Sequence, residues 1–494
     1  MSTWFDAPRP TAADLIAGVS VALILIPQSL AYAQIAEMPV VTGLFASALP
    51  LIAFSLFASS PYLQTGPVAL TSLLTLAALQ GAGFESGDQN YVVLGGLLAL
   101  IVGGFRLTLG LARLGWMAYL ISEPVRIGFT SGATIIIISS QLPKALGAEV
   151  AAPDGSTIGR AIWSIGHPGS WSSGAVALTV ITLLVMLGGR RLHRLFPGVF
   201  VAVVVGILYS GADDSVRTVG EPNPIPEGLP SLSLDLPWES AGALAIGGLV
   251  IALIGFAEPA SIAREFAKQD RTVWNANREL AASGLANMTA AVSGAFPVGG
   301  SFSRSSINRL AGARTRWSGG VTGLVALLFL SFAYVLNGLP HAVLGAIVIG
   351  AVLSLVKPLT LIGMWRGSKV EAGLAWATFV ATLLLTPAVQ WAVLLGVALT
   401  GIAHLLKPLT LKVDTSADRT VVSPSGMLWL GSYRSFEQQL SAIVADARHD
   451  VVMDFGPRPD LDQTAEEIMD RVGATMANGC TLHVLDDDRQ TQPT

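Results

Sequence analysis

Pro27-Gln28-Ser29-Leu30-Ala31 interrupts an apolar run that begins at Asp14, and Pro259-Ala260-Ser261-Ile262-Ala263 interrupts another 232 residues later. Pro, Ser and Ala coincide, and Leu pairs with Ile. Two short apolar segments keep nearly the same offset. One opens at Gly66-Pro67-Val68-Ala69; the other opens at Ser301, behind Gly299-Gly300 and 235 residues after Gly66. A five-residue match alone arises by chance, but two landmarks at one spacing mark an internal repeat.

The chain around them is apolar. Of 494 residues 52% are hydrophobic and 13% charged, with a mean hydropathy of +0.61. A soluble protein of that length covers itself with more charge, so the composition points to several spans in lipid. A bilayer core about 30 Å thick needs roughly 20 apolar residues per helix. Such runs fall at 14–35, 43–58, 66–79, 91–112, 122–142, 173–188, 195–211, 240–263, 280–295, 301–312, 318–336, 339–356, 371–386 and 388–406. The fold class expected is an α-helical polytopic membrane protein with 14 transmembrane segments. Residues 1–410 form the transport domain, and residues 411–494 form a small α/β domain. In that tail Val451-Val452-Met453-Asp454-Phe455 and Thr481-Leu482-His483-Val484-Leu485 read as strands, and Thr464 to Met476 as a helix.

Charge sets the orientation. The stretches 190–194, 264–278, 309–316 and 357–369 hold thirteen Arg and Lys, whereas 81–90, 141–172 and 212–239 hold only Lys144, Arg160 and Arg217. The basic stretches all follow even-numbered spans, so both termini are expected in the cytoplasm. The N-terminus has no basic region leading into a short apolar core, which speaks against a cleaved leader. The expected location is the cell inner (plasma) membrane, with the lipid bilayer as the first partner.

Fourteen spans with one repeat make two halves of seven, and an odd count inverts the second copy. A 7+7 inverted repeat with interrupted helices in matching positions is the mark of a secondary transporter. The segments at Gly66 and Ser301 are too short to span. A helix that starts at mid-membrane aims unpaired N–H groups at the bilayer centre. In hydrocarbon these groups cost several kcal/mol, so they line a cavity or meet a ligand. Two such starts sum their positive dipole ends and favour an anion. The candidate anion site therefore comprises Gln28 and Tyr32 on the first span, Gly66, Pro67, Val68 and Ala69 on the third, and Ser301, Phe302, Ser303 and Arg304 on the tenth. Arg304 either meets the anion or snorkels to the interface. Glu258, beside Pro259, is a buried acid and a candidate for cation coupling; the bland reading is an acid that pairs with N–H groups freed at the proline. Glu37 is a second coupling candidate near the outer mouth, or else a solvated loop acid.

Other chemistries lack support. The net charge of −4 gives no footprint for nucleic acid. Cys480 is the single cysteine, and no two histidines have i, i+4 spacing, so neither a disulfide framework nor a helical metal site is expected. His341 and His404 read as structural. The Gly-rich stretch 294–300 lacks Walker spacing, and no nucleophile–base pair is evident. No cofactor is expected, and the chain does not read as an enzyme.

Five patterns resemble the sulfate permease family, in the family's order. They are Asp14, Ala17, Gly18 with Pro27 to Ala33; Gly66-Pro67-Val68-Ala69; Pro124-Val125-Arg126-Ile127-Gly128-Phe129-Thr130-Ser131-Gly132; Asn277-Arg278-Glu279-Leu280; and Ser303-Arg304-Ser305. The tail resembles the family's sulfate-transporter and anti-sigma-factor-antagonist (STAS) domain through Asp454-Phe455 and Asp462-Gln463-Thr464-Ala465. The resemblance implies a core domain of spans 1–4 and 8–11 rocking against a gate domain of spans 5–7 and 12–14. It also implies a homodimer, a site between the third and tenth spans, and a STAS domain open to a cytoplasmic partner. Where the family often has two prolines after the first span, this chain has Glu37-Met38-Pro39-Val40. The family's phosphorylatable motif has become Asp462-Gln463-Thr464. The function expected is secondary active transport of a small inorganic or organic anion (sulfate, bicarbonate, chloride or dicarboxylate) by proton-coupled symport. A sodium-coupled symporter, or an uncoupled channel or exchanger of the same family, is the alternative.

Overall fold

A computed structural model describes residues 9–406 other than 87, 89, 120, 150, 154, 194–195, 214–215 and 222–223, and in the tail 409–415, 419–425, 432–446, 449–454, 468–469, 472–473, 482–485 and 491–493. The chain divides into two compact units. One holds Met1–Ala118, Phe129–Val356 and Val380–Val393; the other holds Tyr119–Gly128, Lys357–Phe379 and Leu394–Thr494.

The first unit opens with α1 (Ala12–Ile35), which carries Pro27 inside it. Thr11 caps it through a reciprocal pair with Asp14. Asp14 Oδ1 also accepts from the backbone N–H groups of Arg314 and Thr315, both at 2.8 Å, and so ties the first span to the loop after the tenth. The second expected span is two helices, α2 (Val40–Ser47) and α3 (Leu49–Phe57), which part at Ala48 just before Pro50. A proline is tolerated in a first helical turn because its missing N–H would have no partner there. Then come strand β1 (Thr65–Gly66), α4 (Ala69–Gly81), α5 (Tyr91–Leu111) and α6 (Glu123–Leu146). A short helix, α7 (Thr157–Gly166), lies in the loop before α8 (Ser173–Leu192) and α9 (Gly198–Ser210).

The second half repeats the plan. The helix α10 (Ala241–Asp270) carries Pro259, and α11 (Ala276–Val292) is capped by Asn275. Strand β2 (Gly299–Gly300) leads into α12 (Phe302–Leu310), α13 (Trp317–Phe329) and α14 (His341–Val352). The last helices of the membrane part are α15 (Pro358–Gly367), α16 (Lys369–Leu384) and α17 (Gln390–Leu406). Among the described residues six helical stretches are long and apolar enough to cross a bilayer, and five shorter apolar helices accompany them.

The tail is a five-stranded sheet in chain order: β3 (Thr410–Thr415), β4 (Arg419–Ser425), β5 (Asp450–Met453), β6 (Leu482–Leu485) and β7 (Thr491–Pro493). The pairs β4–β5 and β5–β6 are parallel and the outer pairs antiparallel. Phe436 and Leu440 of α18 (Tyr433–Asp446) pack on Val422, Val451 and Met453 of the sheet. The Asp462-Gln463-Thr464 motif, most of the expected helix from Thr464 to Met476, and Cys480 lie outside the described residues.

Candidate functional site

The starts of the two short helices meet. Strands β1 and β2 pair antiparallel, with Thr65 opposite Gly300 and Gly66 opposite Gly299. The ladder continues from Ser301 N–H to the Gln64 carbonyl at 3.0 Å. Ser305 Oγ closes the corner: it accepts from Gln64 N–H at 2.9 Å and donates to the Ser301 carbonyl at 2.7 Å. Glycine is required by proximity. A Cβ on Gly300 would stand 2.8 Å from the Pro259 ring, and one on Gly299 would stand 3.0 Å from Thr71 Cγ2. Helix α10 runs unbroken through Pro259, and that proline lies against the paired strands, which in turn lie against the first turn of α4.

The two helix starts differ chemically. Ser301 caps α12 and accepts from Arg304 N–H at 3.4 Å. Val68 stands at the N-cap of α4 and offers no side-chain acceptor, so the first N–H groups of α4 are left for another partner. Arg304 is fully buried, and among the described residues none of its guanidinium nitrogens has a hydrogen-bond partner. Tyr32 and Glu258 act on it electrostatically. A buried guanidinium with no acceptor is the group that an oxyanion would satisfy.

The structure thus brings Tyr32, Gly66, Val68, Ala69, Glu258, Ser301 and Arg304 to one place. Pro67 lies between β1 and α4. Gln28 is buried nearby in α1, and its Oε1 has no partner among the described residues. Ser303 Oγ lies 3.5 Å from Ser301 Oγ. Two candidates stand apart. Phe302 is 55% exposed. Glu37 follows α1 with φ of +54° and accepts from Gln80 at the far end of α4, at 3.1 Å. Eleven residues of helix separate Gln80 from Ala69, about 17 Å at 1.5 Å per residue.

Sequence reading missed Arg106, the one charged residue of α5. It is fully buried and donates to the carbonyls of Ile251, Ala252 and Val298 and to Ser283 Oγ, at 2.9–3.1 Å. Asn287 brackets Val298 from α11 by accepting from its N–H and donating to its carbonyl. Arg106 and Asn287 are positioning residues that fix β2 against α10 and α11. A lone arginine deep in an apolar run was the available signal.

A model of the sulfate permease family matches residues 12–378. The chain is 33% identical over 465 residues to a probable sulfate transporter of Mycobacterium tuberculosis, covering 93% of this chain and 81% of that protein. It is 34% identical over 400 residues to the chloroplastic sulfate transporter 4.1 of Arabidopsis thaliana, covering 78% of this chain but only 57% of the plant protein. Among solved structures, SLC26A9 superposes with a TM-score of 0.73 at 19% identity, over 96% of this chain and 84% of that one. The transmembrane domain of the cyanobacterial bicarbonate transporter BicA superposes with a TM-score of 0.66 at 25% identity, over 77% of this chain and 96% of that one.

Proposed function

The chain belongs to the sulfate permease family of anion transporters, and from that premise we propose a secondary active carrier of a small oxyanion, of the sulfate or bicarbonate class, coupled to protons. One observation carries the reading: the buried guanidinium of Arg304, which has no acceptor among the described residues, beside the start of α4, which has no side-chain cap.

The charges suggest how coupling works. Glu258 acts electrostatically on Arg304. An arriving anion adds a second negative charge against one cation. A proton on Glu258 removes that excess and leaves Arg304 and the α4 N–H groups to the anion. Anion and proton then bind with positive cooperativity. Fourteen spans, the core of spans 1–4 and 8–11 rocking against the gate, a homodimer, cytoplasmic termini in an inner membrane and a STAS tail from residue 411 belong to the same proposal. Relatives named for sulfate and bicarbonate favour those anions.

The test is uptake of labelled sulfate, bicarbonate, chloride and dicarboxylates into proteoliposomes under imposed proton and sodium gradients. Uphill accumulation driven by an inward proton gradient is expected. Accumulation that needs sodium and ignores pH would replace the proton by sodium. Flux that never exceeds equilibrium would make the protein a channel or exchanger.

A further inference from the structure

A polar cavity of about 420 Å³ lies at the C-terminal ends of α1 and α4, lined also by α6 and the loop that carries α7. Leu73 lines its inner end and Gln80 its outer part. Leu73 is four residues from the start of α4, so the cavity stops about 6 Å of helix short of the site at Ala69.

Its charges are unequally satisfied. Glu149 is occupied: its carboxylate faces His341 Nδ1 at 3.0 Å and Arg217 Nη1 at 3.5 Å. Glu37 accepts from Gln80. Lys144 gives one ammonium proton to Gln34 Oε1 at 3.0 Å, and among the described residues it has no second acceptor. Arg160 spends Nη2 on the Glu149 carbonyl at 3.3 Å, and its buried Nε has no partner among the described residues. Glu149, Glu37 and Arg160 all act electrostatically on Lys144. Glu149 and Glu37 act on Lys144 more strongly than Arg160 does, but both carboxylates are engaged by other donors, so the donors of the two cations that stay unused among the described residues are free to meet an anion between them.

We propose that this cavity is a second anion site, in which Lys144 and Arg160 hold a small oxyanion at the mouth of the pathway before it passes Leu73. The inference rests on the transport reading above. The site concentrates anions where a low-dielectric wall focuses the field of the two cations, and delivers them to the half-helix starts.

The experiment uses the full chain in proteoliposomes, with whichever of sulfate, bicarbonate or chloride the wild type carries. Lys144→Gln and Arg160→Gln are each expected to lower kcat/KM about fivefold at low salt, the deficit shrinking as ionic strength rises; Arg160→Lys retains most of the rate. A second readout does not depend on transport. Ser140 lines the cavity, and Ser140→Cys in a Cys480→Ser background can be labelled with an anionic, membrane-impermeant thiosulfonate. Sulfate or bicarbonate should slow this labelling, and Arg160→Gln should abolish the protection. Unchanged kcat/KM together with labelling indifferent to both anions overturns the proposal. Protected labelling in a chain that transports none of the anions refutes the carrier reading and leaves the second site standing.

Discussion

The guanidinium of Arg304 lies 3.5 Å from the point where a Cβ on Gly66 would stand. Gly66 has φ of +142°, so a side chain there strains the backbone, crowds Leu51 and stands in contact with Arg304. Gly66→Ala should cost about 1–2 kcal/mol of stability and weaken anion binding at least tenfold. Bulky replacement of Val68 or Ser301 should also abolish binding without unfolding the protein. At an anion concentration 100 times Kd the wild type should gain about 2.7 kcal/mol of stability. Arg304→Gln should gain far less at the same concentration. Thermal melting in detergent, with and without sulfate or bicarbonate, checks all of these; an undiminished ligand-induced shift in Arg304→Gln would refute the site.

Glu258→Gln imitates the protonated acid. It should keep anion binding and exchange but lose acceleration by an inward proton gradient. Comparing gradient-driven uptake with exchange at equal pH separates the two. A variant that still accelerates with the gradient removes Glu258 from coupling.

Arg106 acts through structure. Replacing it with methionine removes four hydrogen bonds from a buried layer, and the expected cost is about 3–5 kcal/mol. Arg106→Lys should recover part of that, since one ammonium reaches fewer of the four. Melting temperatures of the three proteins test the ranking, and a methionine variant as stable as wild type contradicts it.

Glu149 gives a pH dependence whose sign can be worked out. Burial pushes its carboxyl up, but the hydrogen bond and charge of His341, with the cations of Lys144 and Arg217, outweigh burial and hold it below the ordinary carboxylate range. A depressed folded-state value means that stability is present above the unfolded carboxylate's pKa, about 4.3, and is lost as pH falls through the folded value. Wild type should therefore melt above Glu149→Gln at neutral pH, with the difference closing as the pH drops below about 4. A difference that grows on acidification would contradict this.

The parts of the fold legible in the sequence were those written as punctuation. Gly66-Pro67 and Gly299-Gly300 announced two helix starts, because backbone geometry there depends on residue type, whereas the interruptions expected at Pro27 and Pro259 are not found: α1 and α10 run unbroken through them. The α7 and α15 helices were not legible: ten residues each, they fall below the length at which an apolar run stands out. The break at Ala48 lay inside an unbroken apolar stretch, and Pro50 was its only trace. In the candidate site Arg304 could be suspected from its place one turn into a short helix, but its lack of partners depends on neighbours from α1, β1 and α10. Glu37, read as near the outer mouth, lines the outer cavity beside Gln80, a helix length away from the helix starts. Arg106 contributes through contacts 145–192 residues away, which no local window contains.

The β1–β2 pairing bears on how the protein is made. Thr65 and Gly300 are ladder partners, yet the ribosome delivers them 235 residues apart, roughly 10–50 s at 5–20 residues per second. Through that interval the first half waits in the bilayer with one edge of a two-stranded ladder unmade and the α4 start without its neighbour. Anion affinity at the helix starts is therefore a property that arises late in biogenesis, and neither half can possess it alone. Residues 1–230, carrying Lys144→Gln and Arg160→Gln to silence the outer cavity, and residues 231–494 should each bind no sulfate or bicarbonate when expressed separately, whereas co-expression should restore binding; affinity in either fragment by itself would show that the strands are not needed to build the site.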